Sequence, residues 1–138
     1  MGRRTEFSSE IKQLKRSRRE LNLGSNGWHK NIPSSSGVYV IWEGVTALYV
    51  GESSSLRERL RELDRTINHT FRSKAKGVYK VEEKELSKFI NKTFTISYLT
   101  LNRGRKELEE FLIADWDTSK FNKRPARYLR SDDCEKNI

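Results

Sequence analysis

Two tyrosines stand ten residues apart, each next but one to a glycine: Tyr39 in Gly37-Val38-Tyr39 and Tyr49 in Tyr49-Val50-Gly51. The runs that carry them, GVYVIWE and ALYVGE, are rich in β-branched and aromatic residues, with Glu43-Gly44 near the turn between them. That pattern predicts an antiparallel hairpin in which the two phenols can approach each other across the sheet. Two neighbouring phenols can orient a water or bind a phosphate. They can equally fill a core with a hydroxyl at the surface. Gly51 leaves room for a backbone or ligand to come close, or merely closes a turn.

Arg59 follows in SSSLRERLRELDR. Leu56, Leu60 and Leu63 set a buried helical stripe there, and Arg59 borders it, so its guanidinium can lean over the sheet edge and clamp a phosphate through two parallel N–H donors. Arg57 and Arg61 lie farther from the stripe. A solvated face of mixed Arg and Glu is the plain alternative for the whole run. In KELEEFLIADW, Leu108, Phe111, Leu112, Ile113 and Trp116 average to one direction on a helical wheel. Glu109 lies roughly 60° from that direction, whereas Glu107 and Glu110 lie about 140° and 160° away. Glu109 is therefore the carboxylate expected to be half-buried, and it needs a partner. A hard cation shared with a substrate phosphate would serve, and so would a neighbouring arginine.

Taken in order, these elements resemble the GIY-YIG nuclease superfamily. GVY and YVG stand in the place of its signature. Gly51 is followed by leucine at Leu56, by Arg59 and by Leu60 at the spacing of the family's first helix. LEEFLI looks like its Leu-Glu-x-x-Leu-Ile segment and selects Glu109, as the wheel does, and Lys120-Phe121-Asn122 resembles the closing aromatic-Asn pair. The resemblance spans residues 36–125. It implies metal-dependent hydrolysis of DNA phosphodiester bonds. Tyr39 would be the general base, Tyr49 would position the nucleophile or a phosphate oxygen, and Arg59 would stabilise the scissile phosphate. Glu109 would hold one Mg²⁺ or Mn²⁺, and Asn122 would support the site. A tyrosine with an ordinary pKa near 10 is a poor base, so nearby positive charge would have to lower it. One position departs from the family. Many members carry a histidine one helical turn after the arginine, where this chain has Leu63. His69 could substitute if the following segment folds back, or could be a surface histidine.

The elements that must position these residues read as an α/β fold. The expected architecture is a small sandwich, with a short, mostly antiparallel sheet of about three strands flanked by helices. A helix is expected over 8–22, with Ile11, Leu14 and Leu21 near one face, followed by the hairpin and a helix with Leu56, Leu60 and Leu63. Segment 68–77 reads as a short helix or a loop. A helix with Leu86, Phe89 and Ile90, a strand FTISYLTL and the helix bearing Glu109 complete the order. The expected divisions are a basic N-terminal helix and linker over 1–30, the nuclease-like domain over 31–130 and a polar tail over 131–138.

The chain has 138 residues, with 28 Lys and Arg against 19 Asp and Glu, a formal charge of +9. Apolar residues make up only 34%, yet three Trp, five Tyr and six Phe argue for a packed domain. The excess charge suits a polyanion, and DNA is the expected partner. Lys12, Lys15, Arg16 and Arg19 near the N-terminus and Lys123, Arg124 and Arg127 near the C-terminus would be phosphate contacts that give affinity without sequence choice, joined by Gly51 and Arg57. Specificity would have to come from loops, a homodimer or a partner protein. Cys134 is the single cysteine, which excludes an internal disulfide and a cysteine metal cage. The polar start has no signal-peptide core and no run suits a membrane span, so the expectation is a cytoplasmic protein. Two other classes compete: a catalytically inactive nucleic-acid-binding domain that kept the fold, and a membrane-surface or protein-interaction module. The second explains the charge but none of the spaced site residues.

Overall fold

The hairpin is the centre of the molecule. In the computed structural model, which describes residues 7–25, 27–65, 69–118 and 120–122, strand β2 (Gly37–Glu43) pairs antiparallel with β3 (Thr46–Ser53) on one side and with β4 (Thr95–Thr100) on the other. A two-residue strand β1 (Arg19–Glu20) extends β4, giving the sheet order β1-β4-β2-β3. All three pairings are antiparallel.

Helices cover both faces. On one face lie α2 (Leu56–Arg65), α3 (Thr70–Tyr79) and α4 (Glu83–Thr93). Their Leu56, Leu60, Leu63, Phe71, Ala75, Leu86 and Ile90 pack with Tyr39, Ile41 and Tyr49 from the sheet. On the other face α1 (Ser8–Arg16) and α5 (Arg105–Trp116) bring Ile11, Leu14, Leu108, Leu112 and Ile113 against Val38, Val40, Trp42 and Val50. This split is the period-two alternation of the hairpin made visible: odd residues of β2 enter one core and even residues the other. Because helices lie on both sides, β2 is buried along almost its whole length. Ile11 and Leu14 also place α1 in the same packed body as the residues beyond 31.

Two local expectations are corrected. The first helix ends at Arg16 rather than Asn22, because Arg19 and Glu20 instead extend the sheet, opposite Ile96 and Thr95 of β4. Leu21 then leaves the α1 face and joins the opposite core. Segment 68–77, open between helix and loop, is helical from Thr70, and Phe71 and Ala75 supply its buried spacing of one turn.

The start of α2 is tied down from outside. Its Leu56 and Arg57 N–H groups donate to the Ser35 and Pro33 carbonyls, and Ser55 Oγ accepts from Glu58 N–H at 3.4 Å. Helix donors that would otherwise seek water or an anion are thus spent on the preceding loop and the serine cap.

Candidate active site

Tyr39 and Tyr49 are diagonal neighbours on one face of the hairpin. Tyr39 stands opposite Gly51 and Ile41 opposite Tyr49, so the two phenol rings lie 6.0 Å apart, centroid to centroid. Both are buried, Tyr39 fully and Tyr49 at 5% exposure. The glycine has a direct reason. A Cβ on Gly51 would sit 2.3 Å from the Tyr39 ring, so the ring lies where a side chain would be. Gly51 is within β3 rather than past its end, and its open space is taken by Tyr39 instead of by a ligand.

Helix α2 brings Arg59 over this pair. Its side chain is 26% exposed and ion-pairs with Glu62 on the next turn. The charge of Arg59 also acts on both tyrosines. Burial works against its charge, and Tyr39, Glu62 and Tyr49 more than offset that, so the guanidinium stays charged. Leu63, on the same helix, is fully buried.

His69 completes the cluster from the start of α3. It is fully buried, and its Nε2 lies 2.6 Å from the Tyr39 hydroxyl. Its Nδ1 accepts the Phe71 N–H at 3.1 Å, which makes His69 the N-cap of α3. Burial, with the charges of Arg59 and Arg72 nearby, pushes its pKa down to about 3. The alternative of a surface histidine is therefore overturned: the start of α3 puts His69 on the tyrosine.

The expected lowering of the Tyr39 pKa is also reversed. Burial and the neighbouring Tyr49 raise it well above the ordinary value, while Arg59 pulls the other way and loses. In a fully buried site the cost of desolvating a phenolate outweighs one partly exposed cation.

The exposed edge of β3 carries the next two residues. Asn122 treats Val50 as a strand partner would: Val50 N–H donates to Oδ1 at 2.9 Å, and Nδ2 donates to the Val50 carbonyl at 2.7 Å. Thr118 Oγ1 donates to the same Oδ1 at 2.7 Å. In an antiparallel strand the outward-facing backbone groups recur every second residue. Glu52, two on from Val50, accordingly offers its N–H to Glu109 on α5.

Glu109 is half-buried, as the wheel requires, and Glu107 is exposed, but Glu110, which the wheel turns away from the core, is half-buried as well. Burial and the charge of Glu52 raise the pKa of Glu109 to about 7, against the opposing pull of the Glu52 N–H, Lys106 and Arg59. Glu52 itself ion-pairs with Arg105 at 3.4 Å. Among the described residues no three His, Cys, Asp or Glu side chains gather into a metal cage. A hard cation of the magnesium kind does not require one, since it takes one or two carboxylates and completes its shell with water and phosphate oxygens. Glu109, desolvated and repelled by Glu52, has the chemistry to fit that role.

Other candidates lie elsewhere. Arg57 donates Nε to the Ile32 carbonyl at 2.8 Å and so anchors the loop before the hairpin. Lys12, Lys15 and Arg16 are exposed on α1, on the sheet face opposite the tyrosines. Lys15 lies over the Trp116 ring at 5.9 Å, and Arg19 lies over Tyr98 at 4.9 Å near the far edge of the sheet. Lys123, Arg124 and Arg127 fall outside the described residues. Glu52 and Arg72 were not singled out from the sequence. Glu52 directly follows Gly51 and could have been suspected, whereas Arg72 is 4% exposed and bonded to the Leu63 carbonyl and Ser87 only through tertiary packing.

No family model and no curated protein sequence matches the chain. Among solved structures it is similar to the GIY-YIG N-terminal endonuclease domain of UvrC from Thermotoga maritima bound to magnesium, with 21% identity and a TM-score of 0.44 over 67% of this chain and 88% of that one. A point mutant of the same domain, bound to its catalytic divalent cation, shares 19% identity at a TM-score of 0.45 with the same coverage.

Proposed function

We propose that the chain is a GIY-YIG-type endonuclease that hydrolyses DNA phosphodiester bonds with a divalent cation. The observation that carries this reading is the packing of Tyr39, Tyr49 and His69 against one another on one face of the hairpin, beside the partly exposed Arg59, whose charge acts on both phenols and on Glu109. A guanidinium, two phenols and a carboxylate that feel one another's charge are what a phosphate needs to meet a clamp, a proton acceptor and a metal ligand together.

In this reading water attacks the phosphorus and loses its proton to Tyr39. Burial holds Tyr39 protonated, so its own proton must first pass to solvent water, and Arg59 is the neighbouring charge that favours the phenolate. Tyr49, the slightly more exposed ring, positions the attacking water or a phosphate oxygen. Arg59 donates to the non-bridging oxygens, where charge grows in the transition state. Glu109 would hold Mg²⁺ or Mn²⁺, which when bound polarises the phosphate and screens the leaving oxygen. Asn122 keeps β3, and with it Tyr49 and Glu52, in register.

A second reading, a nucleic-acid-binding domain without turnover, has its own support in the full burial of Tyr39, whose hydroxyl is already engaged by His69. Plasmid nicking with Mg²⁺, Mn²⁺ or EDTA separates the two. Metal-dependent nicking that is lost in Glu109→Ala supports the nuclease. Salt-sensitive DNA binding with no nicking, on plasmid and on branched DNA alike, supports the binding domain.

A further inference from the structure

His69 has two ring nitrogens, and the fold assigns each of them one job. Nδ1 lies 3.1 Å from the Phe71 N–H and accepts from it, closing the first turn of α3. A protonated Nδ1 would present hydrogen to hydrogen there, so the nitrogen must carry its lone pair. The ring's proton is then on Nε2, the nitrogen 2.6 Å from the Tyr39 oxygen. The Tyr39 oxygen therefore accepts on that side, and its own hydrogen cannot point at His69. Arg59 can only donate, so it does not take the Tyr39 proton either.

We propose that His69 is a positioning residue for Tyr39: the N-terminus of α3 locks it as the Nε2–H tautomer, and that N–H is a fixed donor to the Tyr39 oxygen. This inference rests on the nuclease reading for its consequence, though not for its geometry. Once Tyr39 loses its proton, the same donor stabilises the phenolate from the buried side while Arg59 does so from the outer side. His69 cannot be the group that takes the Tyr39 proton, because the nitrogen facing Tyr39 already bears one and the other is engaged by the helix. The residue thus stands in space where a donor is needed, although in sequence it lies six positions beyond Leu63. It reaches the site from the start of the next helix.

Two substitutions divide the donor role from the capping role. Asparagine matches the reach of Nδ1 and is among the favoured N-caps, so His69→Asn keeps the helix start and loses Tyr39. Glutamine matches the reach of Nε2 and can donate an amide N–H, so His69→Gln restores the contact to Tyr39. Long-range proton–nitrogen correlation NMR on the unmodified chain reads the tautomer directly. A protonated Nε2 and bare Nδ1 at neutral pH, with the Nε2–H signal moved in Tyr39→Phe, is the expected result. A protonated Nδ1 overturns the proposal. In plasmid nicking, His69→Asn should lose on the order of 10- to 100-fold in rate, part of the 10²–10⁴ that a positioned proton acceptor contributes, and His69→Gln should recover most of it. Equal rates for wild type and His69→Asn, both folded, overturn the positioning role. Absence of nicking by the wild type would sink the nuclease reading instead, and the NMR result would still decide the donor assignment.

Discussion

The ring of Tyr39 fills the space above Gly51: a Cβ built on that glycine would lie 2.3 Å from one ring carbon and 2.5 Å from the hydroxyl oxygen. The two residues are direct partners across β2 and β3. One glycine in the second half of the motif is thus explained by one tyrosine in the first half.

Gly51→Ala should therefore be destabilising although alanine is the smallest possible change. Neither ring nor strand can give way easily, because Tyr39 is fully buried and β2 is paired on both sides. Overpacking of this kind costs about 1–3 kcal/mol. Urea unfolding measures it, and a midpoint equal to wild type would show that the ring has another place to go.

Asn122→Ala should lower stability by a different route. It leaves the Val50 N–H and carbonyl and the Thr118 hydroxyl without their buried partner. Each unsatisfied buried group costs about 1–3 kcal/mol. The expected loss is at least that of one such group, with faster amide exchange at Val50 than in wild type. Unchanged exchange there would mean that water or another side chain takes over the edge.

Much of this arrangement is legible from local pattern. Alternation alone separates Tyr39 and Ile41 from Val38, Val40 and Trp42, and the helical wheel finds Glu109 half-buried, though it misses that Glu110 is half-buried too. What local pattern does not carry is any pairing between distant segments. A two-residue strand such as β1 exists only because β4, more than seventy residues later, offers it an edge. Arg57 and Arg59 look alike in RERLR, yet one is drawn to the Ile32 carbonyl and the other to the tyrosines. The burial of His69 likewise depends on where α3 packs against the hairpin. The face covered by α1, and with it the location of Lys12 and Arg16, is also a tertiary outcome.

Arg59→Ala should reduce the cleavage rate by about 10²–10³, the effect of removing one donor aimed at transition-state charge. Arg59→Lys should restore little of it, since an ammonium lacks the planar fork that meets two phosphate oxygens. Single-turnover nicking under saturating enzyme is the measurement. Near-wild-type turnover in Arg59→Ala would move the phosphate contact to another arginine, such as Arg105 of α5, which ion-pairs with Glu52 of β3.

Glu109→Gln should abolish metal-dependent nicking while leaving the fold and DNA affinity nearly intact. The amide keeps the shape and can still accept the Glu52 N–H, but it carries no charge for a cation. EDTA should have the same effect on wild type and no further effect on the variant. Nicking that persists in EDTA, or in Glu109→Gln with Mg²⁺, would remove the metal role from this residue.

The last expectation concerns acid. His69 has a pKa of about 3 in the folded chain, lowered by burial and by Arg59 and Arg72, against 6.5 for an ordinary histidine. Among the described residues, Tyr39 and Tyr49 from the hairpin pack against it, and the charges of Arg59 from α2 and Arg72 from α3 act on it. Burial and both of these charges disfavour a charged ring. The unfolded chain takes up a proton near pH 6.5 and the folded chain does not until about pH 3. The stability His69 contributes is therefore complete above pH 6.5 and is lost as the pH falls, at about 1.4 kcal/mol per unit. Between neutrality and pH 5 wild type should lose about 2 kcal/mol that His69→Asn, which has no group to protonate, does not lose. Urea unfolding of both proteins at the two pH values gives the difference directly, and other titrating groups cancel in it. Equal losses would mean that His69 gains a proton within the fold as readily as outside it, and that the contact with Tyr39 opens in solution.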